Sequence, residues 1–268
     1  MQTTYTTPIT HVAATICKCL SVAPPLQSEG CMDDLAARLQ ALADGAIDRV
    51  VVYNPDAIAA WAYRKYASKF DPIRNVCAIE QPMRSVIPPK TPVCFASMYS
   101  GASPAVHGIQ RYTKPTLTID TAFDALIRAG KKACIVTVAG QSMDRLFRNR
   151  DMDYDACKND AAVIDRALER IAADEHDLIC VYNQEYDDVM HVTHPNSLLA
   201  RRALDHYAAS FARLAGAIRT HWRTHNTVVG CATDHGTHRE WYLLGNHGKD
   251  IPQDMQVMHL WGVIPRVE

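Results

Sequence analysis

Short apolar runs alternate with amphipathic stretches along most of this chain. MDDLAARLQALADG predicts an amphipathic helix, with Asp33 and Asp34 near its start and Gly45 past its end. RVVVYN (49–54) is the β-branched run of a buried parallel strand, and AIAAWAYRKYASKF follows as a helix. The pattern then repeats. TIDTAFDALIRAG is helical, KACIVTV a strand, NDAAVIDRALERIAAD helical and DLICVYN a strand. A long helix from 196 to 222, the strand NTVVGCAT and a last strand MQVMHLWGV complete the series. Strands alternating with helices predict an α/β fold, a three-layer sandwich with a mostly parallel central sheet. The whole of 1–268 reads as one domain, with residues 1–30, polar and Pro-containing, as a loosely packed N-terminal arm.

Ligands of such sheets gather beyond the carboxyl ends of the strands. The residues there are suggestive. Pro55-Asp56 follows the first strand, QEYDDVMH follows DLICVYN, and Asp234-His235-Gly236 follows NTVVGCAT. Asp187 and His191 are four apart, which on a helical turn puts both on one face. Asp234 and His235 can reach one ion, or two neighbouring ions, if Gly236 lets the chain turn sharply. His247 lies a dozen residues on, in NHG. Each feature has a plain alternative. Asp56 can be a helix cap, Asp187 an exposed helix start and His247 a loop histidine. Three carboxylates and three histidines at sites the fold brings together favour a metal centre over those separate readings.

Composition narrows the partners. The chain is 48% apolar and 21% charged, as an ordinary globular protein is, and its formal net charge is −1. That charge gives no field toward a nucleic-acid polymer or an anionic membrane, so an anionic substrate must be held locally. The nine cysteines are odd in number and irregularly spaced, with Cys134, Cys180 and Cys231 at apolar runs. They read as buried thiols in a reducing cytoplasm rather than as a disulfide framework. The N-terminus lacks a signal-peptide pattern, and no run approaches the ~18 apolar residues of a membrane span.

The segment TPVCFASMYSGASPAVHGI (91–109) supplies a nucleophile. Thr91 before Pro92 reads as the N-cap of a helix, and a hydroxyl at a helix N-terminus can face a phosphate. Thr91, Gly101, Pro104 and His107-Gly108-Ile109 together resemble the nucleophile segment of the alkaline phosphatase superfamily. The nearest likeness is its type I phosphodiesterase/nucleotide pyrophosphatase branch. The Asp-x-x-x-His, Asp-His-Gly and later His-Gly elements occur in the same order, over roughly 49–263.

The resemblance implies an alkaline phosphatase-like fold and two divalent metal ions, usually zinc, with manganese compatible with the carboxylates. Asp187, His191 and His247 would hold one ion. Asp56, Asp234 and His235 would hold the other, together with Thr91. His238 is then a bystander or orients a ligand. The implied activity is hydrolysis of phosphate esters, of phosphodiesterase or nucleotide pyrophosphatase type, through a phospho-threonine. The partner would be a small phosphorylated substrate such as a nucleotide. The chain departs from the family pattern in two places. Ala57 stands where Gly usually follows the first Asp, and Asn54 competes with Asp56 for the ligand role. Tyr112 stands where the family places an Asn that contacts a phosphoryl oxygen, so Tyr112, Arg111 or Lys114 would replace that contact. A phosphomonoesterase, a phosphomutase on the same metal core, and a non-catalytic metal-bound scaffold are the competing readings.

Overall fold

Strand β2 shows how the molecule is layered. Val50 and Val52 face one core, and Val51 and Tyr53 face another. Because side chains alternate across a strand, a run buried on both faces reads as unbroken apolar sequence. In the computed structural model, which describes residues 3–241 and 244–267, ten strands are numbered in chain order. They are β1 (Thr7–Pro8), β2 (Arg49–Pro55), β3 (Ile79–Arg84), β4 (Ala133–Val138), β5 (Asp153–Cys157), β6 (Leu178–Asn183), β7 (Thr227–Cys231), β8 (His238–Arg239), β9 (Gly245–Asn246) and β10 (Gln256–Ile264). Eight of them form a sheet in the order β1-β3-β10-β7-β2-β6-β4-β5, and β8 pairs with β9 as a separate ribbon.

Helices His11–Cys19, Asp33–Ala43, Thr91–Ser100 and Ala122–Arg128 cover the first core. Helices Asp160–Ala173 and Leu198–His221 cover the second. This is the expected three-layer α/β sandwich. The sheet is parallel except at β10, which runs antiparallel to both β3 and β7. In register, Pro55 lies opposite Asn183, and Tyr53 opposite Cys231. The exits of β2, β6 and β7 therefore open at one edge of the sheet.

Three local expectations are corrected. The arm is not loose. Ile9, Val12, Ala13, Ile16 and Cys17 are buried in the first core, and β1 pairs with β3. Its polar appearance comes from threonines that the interior accommodates, such as Thr15, which donates to the His11 carbonyl at 2.8 Å. The helix expected over AIAAWAYRKYASKF begins only at Ala60 and breaks into shorter pieces. Ala57 has φ 64°, the left-handed region that costs a side-chain-bearing residue about 1–2 kcal/mol. That is the position where the resembling family usually carries Gly. Strands β3 and β5 have no counterpart in the sequence reading. β3 runs unbroken through Pro82, a residue that masks it in the sequence, and β5 (DYDAC) is a polar edge strand.

Two histidines away from the strand exits are buried and held neutral. Burial pushes both His107 and His259 down to about 4. His107 is bonded to Ser97 Oγ at 2.9 Å, and His259 donates to the Thr233 carbonyl at 2.7 Å. Their folded pKa values lie below the unfolded one, so the unfolded chain takes up protons first as pH falls. Their share of stability is present above about pH 6.5 and lost as pH drops toward 4. Melting temperature measured against pH on chelator-treated protein should show this loss as a difference: through that window, wild type should lose stability relative to a His107→Gln, His259→Gln double variant.

Candidate metal centre

The three strand exits deliver their acids to one place. Asp56 leaves β2 and is 1% exposed. Asp187 and His191 lie one turn apart on helix Glu185–Val192, which follows β6. Asp234 and His235 follow β7 and are both fully buried. His247 comes from the strand β9 side of the small ribbon and is 5% exposed. These six residues form two triads. Within Asp187–His191–His247, and within Asp56–Asp234–His235, one ligand atom per residue lies within 4.8 Å of the others. The triads abut, for the His235 and His247 rings stack at 4.0 Å.

Hydrogen bonds aim the ligand atoms. His235 Nδ1–H donates to the Gly236 carbonyl at 3.0 Å, and His247 Nδ1–H donates to the Pro89 carbonyl at 2.9 Å. Both rings therefore keep a lone pair on Nε2. His235 Nε2 lies 3.3 Å from Asp234 Oδ2 and 3.6 Å from Asp56 Oδ1, and His247 Nε2 lies 3.5 Å from Asp187 Oδ1. Burial pushes His247 down to about 3, so it is neutral and able to ligate. Burial and the neighbouring carboxylates hold Asp56 well above the usual carboxylate range, and burial raises Asp234 too.

Does a cation fit? Asp56 Oδ1, Asp187 Oδ1 and Asp234 Oδ2 are buried and make no hydrogen bond among the described residues. Neither lysine nor arginine pairs with any of these three acids there. A buried carboxylate left so costs several kcal/mol unless a counter-charge arrives. Carboxylate oxygens and imidazole Nε2 atoms are the donor set of zinc or a similar divalent ion. The residues present fit the group.

Thr91 sits beside the buried triad, its Oγ 3.3 Å from His235 Nε2. It is the first residue of helix Thr91–Ser100, with Lys90 as N-cap and no side-chain cap. The expected capping role is thus one residue out of place, and the hydroxyl is free of it. Lys90 Nζ donates to the His247 carbonyl at 3.2 Å, tying this helix start to the last ligand loop.

The remaining candidates divide. Tyr112 is 57% exposed, yet its hydroxyl is held above its usual pKa by partial burial and by the charges of Asp56 and Asp187. Lys114 donates to Gln141 Oε1 at 2.7 Å; burial lowers its pKa while the charge of Asp56 raises it. The charge of Asp56 reaches both. Arg111 is exposed. Asn54 is not a rival to Asp56, because it accepts from Tyr99 and donates to the Ala232 carbonyl in the interior. His238 joins neither triad. It is clasped between Asp254 at 2.7 Å and Glu240 at 3.0 Å, and steadies the loop that carries both His235 and His247. Gly236 is needed for close approach rather than for a sharp turn, since a Cβ there would lie 2.1 Å from the Gln253 carbonyl oxygen. The sequence reading passed over Tyr182, whose hydroxyl donates to Asp56 Oδ2. Inside the apolar run LICVYN it carries no signal but its type.

No protein-family model matches the chain, and no curated protein sequence does. Solved structures do. Murine ectonucleotide pyrophosphatase/phosphodiesterase 5 aligns with TM-score 0.64 at 14% identity, over 80% of this chain and 88% of that one. An inactive Thr-to-Ala variant of it, in complex with AMP, aligns with TM-score 0.64 at 13% identity over the same shares. Phosphonoacetate hydrolase from Sinorhizobium meliloti 1021, in complex with phosphonoformate, aligns with TM-score 0.53 at 16% identity, over 71% of this chain and 57% of that one. These are alkaline phosphatase superfamily folds, and this chain shares that fold. No helix among the described residues is long and apolar enough to cross a membrane.

Proposed function

We propose that this chain, with its alkaline phosphatase superfamily fold, is a two-metal phosphohydrolase. It cleaves phosphate esters, of phosphodiesterase or nucleotide pyrophosphatase type, through a phospho-threonine at Thr91. The observation that carries this reading is the set of buried carboxylate oxygens without a hydrogen bond in two abutting triads, with the Thr91 hydroxyl 3.3 Å from His235 Nε2. Asp187, His191 and His247 would hold one divalent ion, and Asp56, Asp234 and His235 the other, with Thr91 beside it. Zinc suits three imidazoles, and manganese is compatible with the carboxylates. The ions, when bound, would supply positive charge that favours the threonine alkoxide and offsets charge on the phosphoryl oxygens.

The chain's own residues do the rest. Thr91 stands at a helix N-terminus, where free N–H groups and the positive dipole end favour a phosphoryl group. Its Oγ forms a bond to phosphorus as the bond to the leaving-group oxygen breaks, and the leaving group departs as its alcohol or phosphate. Water then adds to phosphorus, the Thr91 Oγ–P bond breaks and the hydroxyl is restored. Tyr112 and Lys114, both within the field of Asp56, are the proposed contacts to phosphoryl oxygens, and the exposed Arg111 is the proposed contact to the outer part of the substrate. The AMP complex of the murine relative makes a nucleotide the first substrate class to try.

Release of p-nitrophenol from mono- and diester phosphates, before and after chelation, tests this. Turnover should fall at least about 10³-fold on chelation and return with zinc or manganese. Absence of turnover of any ester with two ions bound would favour a metal-bound scaffold instead.

A further inference from the structure

The buried carboxylates of the centre are not held alike. Asp234 Oδ1 accepts from the Ala57 backbone N–H at 3.3 Å, and Asp187 leans on His191 Nε2 at 3.5 Å. Asp56 has a stiffer hold, a phenol from the neighbouring strand. Tyr182, on β6, lies in register with Asn54 of β2, two residues before Asp56. It is 2% exposed, and its hydroxyl donates to Asp56 Oδ2. The opposite oxygen, Oδ1, has no partner and lies 3.6 Å from His235 Nε2. The Tyr182 ring stands edge-on to Phe95 at 5.3 Å, one turn past Thr91 on the nucleophile helix.

We infer that Tyr182 is a positioning residue of the buried cation site: its hydroxyl occupies one oxygen of Asp56, so that Oδ1 alone is presented to the ion. This rests on the two-metal reading. An aspartate carboxylate rotates easily about its last bond, and two equivalent oxygens can compete for one ion. A neutral donor on one of them fixes the plane of the group and its orientation. Partners that orient ligands in this way commonly contribute about 10–100-fold in metal affinity. The open triad of Asp187, His191 and His247 makes no hydrogen bond to Tyr182 among the described residues, so the effect is confined to one ion.

Tyr53 provides the control. It is a fully buried tyrosine on β2 that donates to Asn183 Oδ1 at 2.9 Å, and its side chain belongs to the opposite core. Zinc affinities of wild type, Tyr182→Phe, Tyr53→Phe and Phe95→Leu would be measured by competition against a chromogenic chelator, with steady-state kinetics alongside. In Tyr182→Phe, one of two ions should bind about 10–100-fold more weakly while the other is unchanged, and kcat should fall with KM held. Tyr53→Phe and Phe95→Leu, which keep the Tyr182 hydroxyl, should bind both ions as wild type does. Unchanged affinity for both ions in Tyr182→Phe overturns the inference, and so does equal weakening of both. Equal weakening in Tyr53→Phe, or loss of one ion in Phe95→Leu, assigns the effect to packing and overturns it too. A wild type that takes up no ion removes the two-metal reading itself, before any variant is compared.

Discussion

Thr91→Ala is expected to lower turnover at least about 10³-fold while both ions stay bound. The argument is local. Thr91 is 4% exposed, and its hydroxyl points at the buried triad rather than at a backbone N–H. With no cap to lose, the variant should melt within a few degrees of wild type, so lost activity cannot be ascribed to unfolding. Thr91→Ser keeps the hydroxyl and should keep activity to within about 10-fold. Steady-state rates, metal content and melting curves on the three proteins check this. Full activity in Thr91→Ala would remove the nucleophile.

The second large effect has opposite signs in the two states of the protein. In Asp234→Asn, the Oδ1 that accepts from Ala57 N–H is preserved, but a buried charge is removed. Burial already disfavours that charge, so the metal-free variant should melt at or above wild type. The loaded protein should do the reverse. At an ion concentration of 100 Kd, one site stabilises by about 2.7 kcal/mol; weakened 100-fold, it stabilises by only about 0.4 kcal/mol. Thermal melts with and without zinc should therefore cross, and turnover should fall at least about 10²-fold. A variant destabilised equally in both states would mean that Asp234 is a structural residue only.

Much of this was legible in the sequence, for a physical reason. Parallel strands end at one edge of a sheet, so the acids after RVVVYN, DLICVYN and NTVVGCAT had to converge if those runs were strands. The spacing of Asp187 and His191 survives as one helical turn. What the sequence hid was contact across the fold. Nothing local tells that Tyr182 reaches Asp56, that Asn54 is committed to Tyr99, or that Gly236 is pressed against the Gln253 carbonyl. The start of the chain misled in the same way. Its polar threonines hide a helix whose isoleucine and valine lie in the core.

Anomalous scattering at the zinc edge, from crystals grown with zinc, tests the centre most directly. Two peaks are expected, roughly 3.5–4 Å apart. One should lie among Asp187, His191 and His247, and the other among Asp56, Asp234 and His235. Zinc found elsewhere, or a single ion in a protein that still turns over esters, would contradict the account.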